Sequence, residues 1–327
     1  MKAIQVSDDR SMNWTETPRP IPGPREVLIK IHATACNRAD LLQRRGLYPP
    51  PEGETSIMGL EASGIIEALG KEVQSLQVGD PVACLLPGGG YAEYVAVHEA
   101  MVLPVPEKLS LTEAAAIPEV FYTAFLNIYL EGRCTPGETV LVHAAASGVG
   151  TAALQLCRVF GNPVIGTASQ GKIRFLNELG VDLAIDRESE DIPARVSEFT
   201  GHQGVDLILD PVGANYFPSN LHLLREQGRL IIIGLLSGSE SEISLGRLLR
   251  KRLQVIGSVL RSRSLAEKIE ITKEFRSRVW PLFDDNKLHP IIDQILPIEE
   301  VEQAHRLLET NQTIGKVVLL VDSSNPG

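Results

Sequence analysis

The chain has 327 residues, which is long enough for two domains with a sizeable core. Hydrophobic residues make up 43% of it and charged residues 22%, as in an ordinary globular protein. Acidic residues outnumber basic ones by 41 to 31, and the net charge of −10 argues against a nucleic-acid binder or a protein held on anionic membranes.

The sequence also predicts the compartment. It shows no basic and apolar signal at its N-terminus and no apolar run of membrane-spanning length. The four cysteines, Cys36, Cys84, Cys134 and Cys157, form no CxxC pair. We therefore expect buried thiols in a reducing compartment and a cytoplasmic protein that binds neither membranes nor nucleic acid.

Residues 1–105 are predicted to be mostly β-structure. Short strand-like runs are separated by Pro/Gly clusters, and their hydrophobic alternation is irregular, as in a barrel whose strands curl. Within this region NRADLLQRRG (37–46) predicts a short helix, and the prolines of LYPPPEG stiffen the loop that holds Tyr48. Tyr48 could serve a site or could simply be a surface ring packed on the prolines.

Residues 110–130 are predicted to be helical with a break at Pro118. The next segment, 139–172, predicts a strand, a small-residue turn AAASGVG and a helix. That order suits a phosphate-binding fingerprint, because small residues let the backbone approach a pyrophosphate at a helix N-terminus. The three fingerprint positions are Ala145, Ser147 and Gly150, with an additional Gly148, so an ordinary strand-to-helix turn is the competing interpretation.

The segment that follows the second strand of this unit predicts the cofactor. NAD-binding units place a carboxylate about 20 residues beyond the turn to bind the ribose hydroxyls. Here that place holds Ala168, followed by Ser169 and Lys172, and a hydroxyl with a cation suits the 2′-phosphate of NADPH. Ser169 would equally serve as the N-cap of a helix that Gly180 closes, and both interpretations can hold together.

From residue 139 six apolar strands alternate with helices, which predicts a parallel sheet covered on both faces. After residue 260 a charged helix (264–284), a strand near 290–296, a helix at 299–310 and a last strand, GKVVLLV, would return to the first domain. We therefore predict an α/β protein in which residues 1–120 form the first part of one domain and residues 121–260 form the parallel-sheet domain. Residues 261–327 return to the first domain.

The order of these parts resembles the medium-chain dehydrogenases/reductases, and several segments resemble their zinc-free quinone oxidoreductase branch, in particular the tumour-suppressor-inducible subgroup. The similarity runs almost end to end and is carried by NRADLLQRRGLYPPP (37–51), GLEASGII (59–66), LLPGGGYAEYV (85–95), AAAIPEVFYTAF (114–125), HAAASGVGTAALQL (143–156) and TIGKVVL (313–319). The resemblance implies a GroES-like β-barrel catalytic domain and a six-stranded parallel Rossmann domain that binds NADP(H).

The same resemblance implies that no metal is bound. In zinc-dependent relatives the three catalytic ligands fall where this chain has Asn37, Leu60 and, nearby, Glu119. An amide, a leucine and one carboxylate do not meet the requirement for three ligands of the Cys, His or acid type, and Cys36 is one residue out of place. His143, at the end of the first Rossmann strand, is expected to be packed or hydrogen-bonded rather than catalytic.

The matching also implies roles for individual residues. Asn37 would donate an amide hydrogen near the nicotinamide ribose or the substrate carbonyl, and Tyr48 would stack and donate its hydroxyl, with solvent supplying the final proton. The PGGG loop (87–90) would approach the acceptor or would be a plain turn. Cofactor contacts are assigned to Ser147, Gly148, Val149, Gly150, Ser169, Lys172, Arg187, Gly234, Leu235 and Arg261.

Three functions follow as alternatives. The first is an NADPH-dependent quinone oxidoreductase that transfers hydride without a metal. The second is an NADPH-dependent reductase of α,β-unsaturated aldehydes or ketones, and the third is a non-catalytic NADPH-binding protein that binds RNA or senses redox state. The last Rossmann strand, LQVIGSVL (253–260), is a long apolar edge, which predicts a homodimer.

Overall fold

The computed structural model describes residues 1–322, which form two compact units. The first contains residues 1–122 together with the described residues from 260 onward, and the second contains residues 123–259. Within the described chain, no helix combines the length and the apolar character that crossing a membrane requires.

The elements follow the predicted pattern closely. The strands are β1 Lys2–Val6, β2 Met12–Glu16, β3 Glu26–Ala35, β4 Glu61–Leu69, β5 Pro81–Leu85, β6 Tyr94–His98, β7 Val102–Pro104, β8 Val140–Val142, β9 Val164–Ala168, β10 Leu183–Asp186, β11 Val205–Asp210, β12 Leu224–Ile232, β13 Gln254–Gly257, β14 Ile292–Pro297 and β15 Lys316–Leu320. The helices are α1 Arg38–Arg44, α2 Leu111–Ala114, α3 Pro118–Phe125, α4 Gly148–Val159, α5 Gln170–Leu179, α6 Ile192–Phe199, α7 Phe217–Leu223, α8 Leu245–Lys251, α9 Leu265–Arg278, α10 Pro281–Asp284 and α11 Val301–Glu309.

The first unit is built around β3, which is buried along most of its length. On one side β3 pairs with β4, and the register shifts twice along that pair. On its other side β3 pairs with β6 through Glu26–Lys30 and then with β15 through Ala33–Ala35. Because register shifts bend a strand and increase its twist, the sheet curls, which explains why its hydrophobic alternation is irregular in the sequence.

The second unit is a parallel sheet with the strand order β10-β9-β8-β11-β12-β13 among the described residues. Strands β8, β9 and β11 are buried at every position, as their continuous apolar runs predict for a sheet covered on both faces. The order reverses between β8 and β11, and ligands of such sheets bind beyond the carboxyl ends of the strands at that switch point. The predicted combination of a curled β-unit and a six-stranded Rossmann sheet is confirmed.

Candidate active site

Asn37 lies at the start of α1, where β3 ends. Its backbone N–H donates to Asp40 Oδ2 at 2.8 Å and so helps to begin the helix. Its side-chain Nδ2 donates to Glu61 Oε1 at 2.8 Å and to Ala35 O at 3.2 Å, while its Oδ1 accepts from Lys316 Nζ at 2.5 Å. Both amide hydrogens are therefore used inside the protein, and the oxygen is the side-chain atom with capacity for another partner. This geometry disagrees with the predicted donor role of Asn37 and suits an acceptor role toward a hydroxyl.

A buried ion pair holds Asn37 in this orientation. Lys316 on β15 and Glu61 on β4 have side chains that are 3% and 0% exposed, and their Nζ and Oε1 atoms are 2.8 Å apart. The ammonium also donates to Cys36 O at 2.8 Å, which gives each of its three hydrogens an acceptor. Glu61 Oε2 accepts the backbone N–H of Glu119 at 2.9 Å. A buried pair is tolerated when its remaining hydrogen-bonding capacity is satisfied in this way.

Asp40 belongs to a second buried group behind Asn37. Its carboxylate accepts from Gly59 N at 3.2 Å and from the Tyr91 hydroxyl at 3.1 Å, and burial raises its pKa to about 6. The Tyr91 oxygen lies 3.2 Å from His305 Nε2, while His305 Nδ1 has no hydrogen-bond partner within residues 1–322. Burial lowers the pKa of His305 to about 3, so a neutral ring with its hydrogen on Nε2 fits this arrangement. We assign this group a structural role.

Glu119 lies in the first turn of α3 and is only partly buried. Burial, and next the negative charge of Glu61, raise the pKa of its carboxyl to about 8. In the described part of the chain no hydrogen-bond donor reaches its carboxyl oxygens. Burial and the neighbouring carboxylate thus favour the protonated form of this group.

Tyr48 is half-buried, and Arg261 supports it. The Arg261 guanidinium lies 5.2 Å from the centre of the Tyr48 ring. Its Nη1 donates to the backbone oxygen of Tyr48 at 3.4 Å. Arg261 also donates to Pro87 O at 2.7 Å and to Gln43 Oε1 at 2.8 Å, and it is 6% exposed. Burial raises the pKa of Tyr48, and the charge of Glu119 raises it further. Arg261 thus belongs to the first unit and connects the Tyr48 loop to the PGGG loop by hydrogen bonds to both.

The PGGG loop has a packing reason for its glycines. A Cβ on Gly90 would lie 2.6 Å from the backbone oxygen of Glu61, closer than real Cβ atoms come, and 3.0 Å from Thr34 Oγ1. The turn therefore needs glycine to lie against the start of β4, whatever else it contacts.

The fingerprint turn of the second unit connects β8 to α4. Ser147 is the N-cap, and its Oγ accepts the N–H of Gly150 at 3.1 Å. Within residues 1–322 no protein acceptor reaches the N–H groups of Gly148 and Val149. A Cβ on Gly150 would lie 2.5 Å from Ala145 O, so glycine lets α4 pack closely on the strand it follows. Free N–H groups at the N-terminus of a twelve-residue helix fit a pyrophosphate.

His143 is buried just below this turn and is hydrogen-bonded through both ring nitrogens. Asn220 Nδ2 donates to Asp210 Oδ2 at 2.9 Å, so Asn220 Oδ1 accepts from His143 Nε2 at 2.8 Å. His143 Nδ1 then accepts from the Thr167 hydroxyl at 3.0 Å. Burial lowers the pKa of His143. The prediction that His143 is packed and hydrogen-bonded is confirmed. Its hydrogen bonds connect the carboxyl end of β8 to Thr167 of β9 and, through Asn220, to Asp210 of β11.

The residues assigned to the 2′-phosphate lie just after the ends of β9 and β10. Ser169 is the N-cap of α5, but its hydroxyl makes no capping bond. Arg187 follows β10, its backbone N–H donates to Ala168 O at 2.9 Å, and its half-exposed side chain contacts Glu188 at 3.3 Å. Lys172 lies in the first turn of α5 and is half-buried. A hydroxyl and two cations are side chains that could bind a phosphate, although Arg187 is paired with Glu188.

Gly234 and Leu235 follow the end of β12. A Cβ on Gly234 would lie 2.8 Å from Pro211 O, and Leu235 is 55% exposed. The structure therefore brings this segment to the carboxyl ends of β11 and β12, the same edge of the sheet as the fingerprint turn.

Lys316, Glu61 and Asp40 are not among the residues predicted for the site, and Glu119 was named only as lying near the third ligand position of zinc-dependent relatives. All four lie within segments quoted for the resemblance, and the charges of Lys316, Glu61 and Glu119 are isolated there among small or apolar neighbours. A lysine or glutamate inside a strand that is otherwise apolar is the signal that could have found the pair, because such residues are rarely fully buried without a partner.

Among the described residues no group of three or more His, Cys, Asp and Glu side chains is placed to hold a metal ion. Cys36 is buried, its sulfur lies 3.2 Å from the Tyr91 oxygen, and burial raises the pKa of its thiol to about 12, which disfavours the thiolate that metals bind.

Comparison with known proteins assigns the family. Residues 23–107 match the alcohol dehydrogenase GroES-like domain, and residues 148–277 match the family described as zinc-binding dehydrogenase. The chain is 34% identical to the probable quinone oxidoreductase of Schizosaccharomyces pombe, over 92% of this chain and 90% of that protein. It is also 34% identical to the rat synaptic vesicle membrane protein VAT-1 homolog, over 92% and 78% of the two chains. The chain belongs to the medium-chain dehydrogenase/reductase superfamily.

Solved structures show the same fold. A quinone oxidoreductase of Pseudomonas syringae pv. tomato has a TM-score of 0.87 at 29% identity, covering 98% of this chain and 99% of that one. The CurK enoyl reductase has a TM-score of 0.87 at 27% identity, covering 98% of each chain. A mycobacterial protein solved with NADPH has a TM-score of 0.87 at 28% identity, covering 98% and 100%. This chain is thus an oxidoreductase-type member of the superfamily that resembles quinone oxidoreductases.

Proposed function

We propose that this protein is an NADPH-dependent quinone oxidoreductase of the zinc-free, tumour-suppressor-inducible type. The proposal rests on the residues that follow β9, which ends in Ala168 instead of a carboxylate: Ser169 is the N-cap of the next helix, Lys172 lies in its first turn, and the Arg187 N–H donates to Ala168 O. Similarity to quinone oxidoreductases over about nine-tenths of both chains supports the acceptor.

The cofactor would be held by the second unit. The N–H groups of Gly148 and Val149 would bind the pyrophosphate, with Ser147 fixing the turn, and the groups around Ala168 would bind the 2′-phosphate. The backbone at Gly234 and Leu235 would face the nicotinamide. When bound, NADPH supplies a hydride. In this proposal Arg261 positions Tyr48 and Pro87 through its hydrogen bonds to their backbone oxygens. A direct contact between Arg261 and the cofactor stays a prediction.

The first unit would hold the acceptor. A quinone or enone delocalises the charge that arrives with a hydride, so it needs hydrogen-bond donors and exclusion of water more than it needs a Lewis acid. Tyr48 offers a ring for stacking and a hydroxyl donor, while Asn37 offers its amide oxygen to a ribose hydroxyl. Among the described residues of this unit, the buried Cys36 thiol and the occupied Asn37 amide do not form part of a metal-binding set. We therefore propose a metal-free reaction.

A second candidate is the reduction of an α,β-unsaturated aldehyde or ketone, and the similarity to the CurK enoyl reductase favours it. A non-catalytic role in RNA binding is disfavoured by the net charge of −10. The described cysteines are all buried and unpaired with one another, which supports a reducing compartment such as the cytoplasm.

One assay separates these functions. NADPH consumption should be measured side by side with ortho-quinones, para-quinones, 2-alkenals and no acceptor, at one protein concentration. We expect the highest kcat/KM with a quinone. A higher value with 2-alkenals would support the second candidate, and consumption no faster than without an acceptor would overturn both enzymatic functions.

Lys172 tests the choice of cofactor. A charge-assisted hydrogen bond to the 2′-phosphate contributes about 1.5–3 kcal/mol, or about ten- to a hundredfold in affinity. Lys172→Ala should weaken NADPH binding by that factor, measured by fluorescence titration, and leave NADH binding nearly unchanged. Arg174→Ala, two residues along the same helix with a side chain that is 91% exposed, is the matched control and should change neither. Equal weakening of both cofactors by Lys172→Ala would make the residue structural.

A further inference from the structure

Asp210, the last residue of β11, has a fully buried carboxylate. One of its oxygens, Oδ1, accepts the backbone N–H of Val212 at 2.6 Å and that of Gly213 at 3.1 Å. The other oxygen, Oδ2, accepts from Asn220 Nδ2 at 2.9 Å. A buried charge is tolerated when donors surround it in this way. Because Oδ1 alone holds the turn that follows β11, Oδ2 is left to orient the Asn220 amide.

Asn220 and His143 continue this chain of hydrogen bonds to the fingerprint turn. Because Asn220 donates to Asp210, its Oδ1 faces His143 Nε2 at 2.8 Å. Both side chains are at most 2% exposed, so these bonds form in a low-dielectric interior, where they are stronger than in water. The backbone N–H of His143 donates to Leu209 O at 3.1 Å, and the next residue, Ala144, begins the turn to α4. The position of that turn therefore depends on the same network.

The turn that Asp210 holds packs against the segment that follows β12. The backbone N–H of Ser237 donates to Val212 O at 2.8 Å, and the Ser237 hydroxyl donates to the same oxygen at 2.9 Å. A Cβ on Gly213 would lie 3.2 Å from Leu235 Cα, so the two backbones are in close contact. Leu235 belongs to the segment that we assign to the nicotinamide. The position of this segment therefore depends on Asp210.

Resting on the function proposed above, we propose that Asp210, Asn220 and His143 are positioning residues for the cofactor. Their hydrogen bonds connect the turn that would bind the pyrophosphate to the segment that would face the nicotinamide. NADPH has to occupy both places at once, and a small displacement of one against the other would misalign the hydride. The three side chains act through these two backbone segments and not by a contact of their own with the reacting atoms.

Asn220→Leu tests the proposal, because leucine has a similar shape and makes neither hydrogen bond. We expect hydride transfer in a single turnover, at saturating NADPH and quinone, to slow about tenfold to a hundredfold, which is what a misplaced reactant costs. The affinity for 2′-phospho-ADP-ribose, which is NADPH without its nicotinamide, should stay within about twofold of wild type in calorimetric titration. Asn220→Ser breaks the same bridge with a smaller side chain and should give the same result, which keeps the test valid if Asn220→Leu does not fold.

The matched control is Asn162→Leu. Asn162 is buried in the same unit just before β9, at the opposite edge of the sheet. It accepts from the Tyr129 hydroxyl at 3.1 Å and donates to Thr135 O at 2.6 Å. Because this variant also removes hydrogen bonds from a buried asparagine, it should lose stability, but it should not slow hydride transfer.

Hydrogen exchange of the cofactor-free protein measures the connection without turnover. In Asn220→Leu, but not in Asn162→Leu, peptides from 210–216 and 234–238 should exchange faster than in wild type, because the turn and the segment packed on it are both released. Unchanged exchange at 234–238, an unchanged rate of hydride transfer, or a loss of 2′-phospho-ADP-ribose affinity as large as the loss of rate would each overturn the positioning role. A wild-type protein that transfers no hydride to any acceptor would overturn the proposed function, while exchange at 234–238 would still decide whether the connection exists.

Discussion

Lys316 illustrates how strongly one buried charge can constrain a site. Its ammonium bonds to Glu61, Asn37 and Cys36 O, so it orients the amide that we assign to the cofactor ribose. Removing one member of a buried ion pair leaves the other charge unpaired, which costs far more than the pair itself contributes. The site residue Asn37 therefore depends on a side chain almost 280 positions away in the chain, since the two differ by 279 in number.

Lys316→Met should accordingly lower the free energy of unfolding by about 3–5 kcal/mol, measured by urea denaturation. The matched control is Lys30→Met, which removes a lysine whose partner is Asp322 at 2.9 Å but whose side chain is 50% exposed. An exposed pair contributes about 0–1 kcal/mol, so the control should remain close to wild type. Similar losses in the two variants would show that the Lys316 pair is solvated and that it does not fix Asn37.

At this scale the sequence predicts some residues and not others. Asn37 and Tyr48 were identified from the motif that contains them, yet the donor role of Asn37 was not compatible with its occupied amide. Whether the Asn37 amide has a hydrogen available for a ligand depends on Glu61 of β4 and Lys316 of β15, which the fold brings next to it. The spacing of Glu61 and Lys316 in the sequence does not predict that they form an ion pair.

The turn between β8 and α4 is the element on which cofactor binding depends. Gly150 lies where a Cβ would be 2.5 Å from Ala145 O and 2.6 Å from Ala144 O, both backbone atoms that cannot move without shifting the turn. Ala144 itself has a φ of 50°, a left-handed conformation that costs a non-glycine residue energy and is held by its surroundings. The turn is thus rigid and closely packed.

Gly150→Ala should therefore lower the free energy of unfolding by about 1–3 kcal/mol and weaken NADPH binding, because overpacking shifts the N–H groups of Gly148 and Val149. Gly171→Ala is the control within α5, where a Cβ would meet nothing within 4 Å. Alanine is the better helix former there, so this variant should gain up to about 1 kcal/mol with unchanged NADPH affinity. Thermal unfolding with and without NADPH measures both effects. A Gly150→Ala variant with wild-type stability and wild-type NADPH affinity would refute the close packing.

Most elements could be predicted because their hydrophobic periods are local. The Rossmann strands are continuous apolar runs, and their helices begin at Ser147, Ser169 and Asp191 as capping residues predict. The predicted helix at 264–284 divides into α9 and α10 because Pro281 cannot donate a backbone hydrogen bond. The partner exchange of β3 could not be read from the sequence, since it depends on pairing with distant strands.

At the scale of the whole molecule, the strand β13 is an edge of the Rossmann sheet. Val255 in this strand and Val259 beyond it are 38% and 50% exposed, and an exposed apolar edge invites pairing with another strand. A twofold copy of the same edge would continue the sheet and satisfy its backbone groups, which is why we propose a homodimer.

Light scattering at micromolar protein should therefore give about twice the chain mass of 35.6 kDa. Val255→Glu should shift the mass toward one chain, because each edge then carries a charge that the pairing would bury. Val78→Glu introduces the same charge at an exposed valine of the first unit and should leave the dimer intact. A wild-type monomer, or equal dissociation in both variants, would contradict pairing through β13.

We propose that this chain transfers hydride from NADPH to a quinone without a metal. The most direct measurement is a single-turnover reaction of chelator-treated, metal-free protein with NADPH deuterated at the transferable position, followed by stopped-flow absorbance. We predict that NADPH is oxidised by the quinone at the rate of untreated protein, and that deuterium slows the step when hydride transfer limits it. Loss of the reaction in the chelated protein, with recovery on adding zinc, would contradict the account.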